Sequence, residues 1–135
     1  MYREEADALD AEILRIIGAW SRDRSFRFDF NDLALRIFAH QLRYNKPYAR
    51  YCASLGVTLN AMPADWEAIP PVPAAAYKEA ALCTFDPNNA ALAFETSGTT
   101  KGVGGKHYME TAALYDAAQY RARIDTIYGK PFFLY

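Results

Sequence analysis

A segment rich in glycine and hydroxyl residues is the part of the chain whose residue types suit ligand chemistry. It reads Thr96-Ser-Gly-Thr-Thr-Lys-Gly-Val-Gly-Gly-Lys-His107 and contains four of the seven glycines. Glycine lets the backbone turn tightly and approach a ligand, so that successive amide hydrogens can face one anion. These residue types favour a phosphate-binding loop. The same composition also allows a surface hairpin or loop whose glycines only make turns.

The candidate phosphate-binding residues are those that can donate hydrogen bonds or positive charge to a polyphosphate. They are Thr96, Ser97, Gly98, Thr99, Thr100, Gly102 and Lys106. Lys101 and His107 are the candidate catalytic residues, although a histidine here can equally have no chemical role. The segment is not a Walker A loop, because no Lys-Ser or Lys-Thr follows a glycine, and it is not a dinucleotide fingerprint that opens a helix directly.

Composition and charge exclude several classes of protein. The chain has 135 residues, is 52% hydrophobic and carries a net charge of -1, which is typical of one globular domain and gives no field that would attract nucleic acid. Cys52 and Cys83 have no second ligand at metal-binding spacing, so we expect reduced thiols and no metal site. No apolar run approaches the roughly 20 residues of a membrane span, and we expect a cytoplasmic protein without one.

Three helices are predicted in residues 1–60. Apolar residues recur at steps of three and four from Ala6 to Trp20, which indicates an amphipathic helix. Asn31-Asp32 has N-cap chemistry for a second helix. Asn45-Lys46-Pro47 is expected to interrupt that helix, and a third is predicted from Tyr48 to Leu55.

The second half of the chain predicts an α/β fold of mixed type. Residues 61–90 contain a proline-rich crossing. Residues 91–135 are predicted to form a short buried strand, the loop, a helix from about Glu110 to Tyr128, and an apolar strand that is cut short at Tyr135. We therefore expect the first β-loop-α unit of an incomplete, parallel-sheet domain.

The loop resembles a known signature. Thr96-Ser-Gly-Thr-Thr resembles the Thr-Ser-Gly-Thr-Thr-Gly sequence of the adenylate-forming superfamily. The longer segment Phe94-Glu-Thr-Ser-Gly-Thr-Thr-Lys-Gly-Val-Gly-Gly-Lys-His107 resembles LuxE-type acyl-protein synthetases, as do residues 30–52 and 69–78. Lys101 stands where the superfamily commonly has glycine, and Val103-Gly-Gly-Lys106 replaces its Pro-Lys-Gly.

The resemblance implies ATP-dependent activation of a carboxylic acid. ATP and Mg²⁺ would be required, a long-chain fatty acid would be converted to an acyl-adenylate, and the acyl group would pass to the thiol of a partner such as a fatty acid reductase. By the same resemblance residues 1–135 would be the N-terminal part of the enzyme, inactive without the missing C-terminal part of its chain. Lys78 either reaches this site or is simply solvated. Two alternatives stay open: a fragment of a phenylacetate-type acyl-CoA ligase, and a non-catalytic nucleotide-binding or interaction module.

Overall fold

The computed structural model describes residues 1–96 and 104–120 and divides the chain into two compact units. One unit contains Met1, Arg3–Phe28 and the described residues from Ala112 onward. The other contains Tyr2 and Asp29–Thr111, which include the described ends of the glycine-rich segment. The predictions for Ser97 to Gly102 and for the C-terminal strand lie outside the described residues.

The first unit is built on a long helix, α1, which spans Tyr2–Arg22. The predicted helix is confirmed and is longer than the Ala6 to Trp20 of its apolar pattern. It ends where Asp23 turns to an extended conformation and donates its backbone N–H to the Ala19 carbonyl at 2.9 Å. Residues 113–120 are also helical. Within the described ranges, no helix combines the length and the apolar character that a membrane span requires.

Two helices, α2 (Phe30–Tyr44) and α3 (Lys46–Ser54), begin the second unit. Asp29 caps α2 by accepting a hydrogen bond from the Asp32 amide at 2.9 Å, so the predicted cap at Asn31-Asp32 is wrong. Asn45 caps α3, and Pro47 occupies its first turn. A proline there costs nothing, because the first amides of a helix have no intrahelical acceptor, and α3 therefore starts before the predicted Tyr48.

The core of the second unit lies where α2 and α3 pack together. Its buried side chains are Phe38, Leu42, Tyr48 and Cys52. The hydroxyl of Tyr48 donates a hydrogen bond to the Pro70 carbonyl at 2.6 Å, which ties the proline-rich crossing to the helices. Gly56 follows α3 with a φ of 79°, a left-handed conformation that glycine adopts without strain.

The proline-rich crossing contains only short regular pieces. Trp66–Ala68 forms one 3₁₀ turn, Pro87–Asn89 forms another, and α4 is a single turn at Ala76–Glu79. The side chain of Asn31 accepts from the Trp66 amide at 2.8 Å, which explains why this residue is not free to cap α2.

The sheet consists of β1 (Leu92–Glu95) and β2 (Lys106–Met109), which pair antiparallel. The mixed α/β class is confirmed. However, all four positions of β1 are exposed, so the prediction of a buried strand is wrong. The element directly after the loop is a second strand, which was not predicted. The predicted helix from about Glu110 to Tyr128 is confirmed over the described residues 113–120. Residues 96–105 are too few for the crossover of a dozen or more residues that parallel strands need, but they suffice for a hairpin.

Candidate functional site

The glycine-rich segment is carried by the β1–β2 hairpin. Glu95 lies opposite Lys106 in the strand register. One step beyond this pair, the Thr96 amide donates to the Gly105 carbonyl at 2.9 Å. We call Glu95, Thr96, Gly105 and Lys106 the hairpin mouth. Gly104 lies directly against the backbone of Thr96, so the described residues on the two sides of the glycine-rich segment are close together.

Thr96, a predicted phosphate-binding residue, has its hydroxyl engaged within the hairpin mouth. Thr96 Oγ1 accepts a hydrogen bond from the Gly105 amide at 2.9 Å and donates to the Gly105 carbonyl at 3.4 Å. This side chain therefore fixes the geometry of the mouth. A phosphate that used the same hydroxyl would have to share it with Gly105.

Two glycines at the return point are required by close packing. A methyl group on Gly104 would overlap the carbonyl oxygen of Thr96. A methyl group on Gly105 would lie 3.1 Å from Cβ of Tyr77 and 3.3 Å from Oγ1 of Thr96. These glycines thus have a structural role, the close approach of two backbones, in addition to any role in anion binding.

His107, a predicted catalytic residue, stacks on an aromatic ring from α4. The ring centroids of Tyr77 and His107 are 4.0 Å apart and the planes are inclined by 27°. His107 is half-buried, and it pairs with Phe94 across the hairpin. The stack fixes α4 against β2. Sequence reasoning missed this contact because Tyr77 lies far from the loop in the chain.

Lys106, a predicted phosphate-binding residue, forms an ion pair across the hairpin mouth. Its Nζ lies 2.9 Å from Oε1 of Glu95, and the two side chains are 51% and 62% exposed. The hydrogen bond that Lys106 donates to Glu95 and, second, the negative charge of that carboxylate raise the pKa of Lys106. Because both groups face solvent, water and salt screen the attraction between them.

A cavity of about 230 Å³ lies between α4 and the start of β2. It is lined by Tyr77, Lys78, Glu79, Ala80, Ala81, Gly104, Lys106 and Tyr108, and we call it the lysine cavity. Lys78, for which two roles were open, thus lines the same space as Lys106. The structure brings Thr96, Lys106 and His107 together around the hairpin, whereas Ser97, Gly98, Thr99, Thr100, Lys101 and Gly102 fall outside the described residues.

The two thiols are free, and both are shielded from solvent to some degree. Cys52 is fully buried in the core, and burial raises its pKa. Cys83 is half-buried and donates to the Phe85 carbonyl at 3.2 Å, and burial raises its pKa as well. Both environments disfavour the thiolate, the nucleophilic form. In the part of the chain that the structure describes, no group of three or more His, Cys, Asp or Glu side chains is arranged to hold a metal ion.

The pairing of Leu92–Glu95 with Lys106–Met109 has only a weak signal in the sequence, because runs of four residues show little periodicity. Comparisons with protein-family models, with curated proteins and with solved structures find no match to this chain.

Proposed function

We propose that the chain takes part in the ATP-dependent activation of a carboxylic acid, with residues 96–106 binding the phosphates of ATP. The proposal is supported by the residue types of the glycine-rich segment together with the hairpin and the lysine cavity next to its described residues. Residues 96–106 contain glycines, three hydroxyl residues after Thr96, and Lys101. Their described residues, Thr96 and 104–106, lie in one hairpin beside a cavity lined by two lysines. Amides, hydroxyls and ammonium groups are the donors that phosphate oxygens require.

In the proposed reaction a carboxylate oxygen of the substrate attacks the α-phosphorus of ATP. The bond from that phosphorus to the bridging oxygen breaks, and pyrophosphate leaves with the electron pair, so the products are acyl-adenylate and pyrophosphate. Negative charge grows on the leaving group as the bond breaks. Preorganised donors at the loop lower this barrier by stabilising the developing charge. Lys101 is the proposed cation closest to the leaving group, and Lys106 adds charge at the hairpin mouth.

The donor set of the site suits phosphate better than it suits a cation. The sequence of residues 96–106 supplies hydroxyls, amides and lysines, and among the described residues the carboxylates beside the lysines are Glu79, in the cavity lining, and Glu95, which pairs with Lys106. Mg²⁺ commonly binds through substrate phosphates with only one or two carboxylates. The Mg²⁺ that the family resemblance implies would therefore arrive with ATP and be held mainly by its phosphate oxygens.

A long-chain fatty acid is the proposed substrate, and the thiol of another protein is the proposed acceptor. The chain's own thiols are poor acceptors, since Cys52 is fully buried and both pKa values are raised by burial. Use of free coenzyme A as acceptor would instead indicate the acyl-CoA ligase alternative.

The test is carboxylate-dependent exchange of labelled pyrophosphate into ATP. It should be run on this chain and on the longest open reading frame that contains it, with fatty acids and with phenylacetate. Exchange that depends on a fatty acid, disappears in Thr99→Ala and survives in Thr58→Ala, an exposed threonine outside the loop, would support the proposal. Absence of exchange with every acid and every length of chain would refute it.

The second candidate is a non-catalytic nucleotide-binding or interaction module. The exposure of β1 favours it, because Leu92 is 36% and Phe94 is 41% exposed, and an exposed apolar strand is suited to bind another surface. ATP binding without exchange would support this candidate against the first.

A further inference from the structure

The lysine cavity extends the phosphate site beyond the glycine-rich loop. We propose that it binds a polyphosphate through Lys78 and Lys106, and that Glu95 competes with this anion for Lys106. The inference rests on the proposed function in taking ATP as the physiological source of the anion. It adds a binding residue, Lys78, from a part of the chain outside the loop, and it assigns Glu95 the role of an internal competitor.

The position of Lys78 follows from how α4 is held. The stack of Tyr77 on His107 fixes this short helix against β2. Gly105 lets α4 approach closely, since even a methyl group there would press on Tyr77. Lys78, the next residue, therefore lines the same 230 Å³ space as Lys106. At about 30 Å³ per water molecule the space holds several waters, which is enough for a diphosphate group.

The two lysines of the cavity differ in whether a carboxylate pairs with them. Lys106 has Glu95 as its partner, whereas Lys78 forms an ion pair with none of the carboxylates in residues 1–96 and 104–120. Glu79 also lines the space and opposes an anion. Because Glu79 lines the cavity and Glu95 pairs with one of its two lysines, a singly charged anion gains little there. A polyphosphate carries enough charge to displace Glu95 from Lys106 and to attract Lys78 at the same time.

The experiment measures the binding of inorganic tripolyphosphate by calorimetry, at low and at physiological ionic strength. Lys78→Gln should bind about fivefold more weakly, the effect of roughly one exposed charge contact, and Lys78→Arg should restore most of the affinity. Arg50→Gln removes the same charge from an exposed position on α3 outside the cavity and should bind like the wild type. Glu95→Gln should bind about threefold more tightly at low ionic strength, because it releases Lys106. Circular dichroism checks that each variant is folded.

The outcomes separate this inference from the proposed function. Equal binding by wild type and Lys78→Gln, weaker binding by Glu95→Gln, or no binding of tripolyphosphate to the wild type would each overturn the inference. If Thr99→Ala abolishes pyrophosphate exchange while Lys78→Gln binds normally, the proposed function survives and the inference fails. If Lys78→Gln weakens binding and no form of the protein catalyses exchange, the inference stands and the proposed function fails.

Discussion

The substitution Gly105→Ala tests whether the hairpin mouth is packed as closely as described. The new methyl group would lie 3.1 Å from Cβ of Tyr77 and 3.3 Å from Oγ1 of Thr96. Neither contact is with the flexible end of a long side chain, so the backbone of the hairpin or of α4 must shift. Overpacking of this kind costs about 1–3 kcal/mol, and the lower entropy of the unfolded alanine chain offsets about 0.4–1 kcal/mol. We expect the free energy of unfolding to fall by about 1–2 kcal/mol.

The assay for this substitution is urea unfolding followed by circular dichroism and by tyrosine fluorescence. With a slope near 2 kcal/mol/M, the midpoint should fall by roughly 0.5–1 M while the slope stays unchanged. Gly18→Ala is the control, because its methyl group meets only the guanidinium end of Arg22, at 3.5 Å, in the interior of α1. It should stabilise the chain by about 0.5–1 kcal/mol. A Gly105→Ala protein as stable as the wild type would refute the close packing of α4 on the hairpin.

Two further substitutions and one thiol-labelling experiment probe the second unit. Tyr48→Phe removes the donor that binds the Pro70 carbonyl at 2.6 Å and should cost about 1–2 kcal/mol in urea unfolding, and an unchanged midpoint would contradict this bond. Asp29→Ala removes the acceptor for the Asp32 amide and should cost about 1 kcal/mol, whereas a change near zero would show that α2 has another cap. Burial raises the pKa of Cys52 in the folded protein above that of the unfolded thiol. The contribution of the buried, neutral thiol to stability is therefore complete below the pKa of the unfolded thiol and is lost as the pH rises through the pKa of the folded protein. Iodoacetamide at pH 8 should therefore label Cys52 only after unfolding, and rapid labelling of the native protein would contradict its burial.

Helices were the most predictable part of the fold, because their apolar residues repeat over many positions. The periodicity of residues 6–20 correctly indicated α1, although the pattern ends before the helix does. Capping was harder to predict. Asp29 and Asn31 both have cap chemistry, but Asp29 caps α2, whereas Asn31 accepts a hydrogen bond from the Trp66 amide in a distant part of the chain. A contact between residues so far apart in the chain cannot be predicted from the local sequence.

The sheet was less predictable, because four-residue strands carry little periodicity. No strand was predicted at Lys106–Met109, because Lys106 and His107 were assigned to the loop and only the pairing with β1 makes this run a strand. The prediction that β1 is buried was also wrong. It came from a short run between a turn and the glycine-rich loop, whereas a two-stranded hairpin leaves Leu92 and Phe94 substantially exposed.

The candidate site was predictable in its residue types but not in its neighbours. The glycines, hydroxyls and lysines of residues 96–107 could be read directly, as could their suitability for phosphate. Glu95 as the partner of Lys106, and Tyr77 and Lys78 beside the hairpin, depend on how α4 packs against β2. Such tertiary contacts are set by the whole fold and leave no local signal.

The most direct test is to measure the affinity of this chain for ATP, with pyrophosphate as a competitor. It asks whether the glycine-rich segment holds the phosphates of ATP. Wild type, Thr99→Ala and the control Thr58→Ala should be compared under identical salt conditions, since ionic strength screens such contacts. We expect that wild type and Thr58→Ala bind ATP alike, that pyrophosphate displaces it, and that Thr99→Ala weakens binding about tenfold, the effect of one hydrogen bond to a charged group. Failure of the wild type to bind ATP, or equal binding by Thr99→Ala, would show that this segment does not hold the phosphates of ATP.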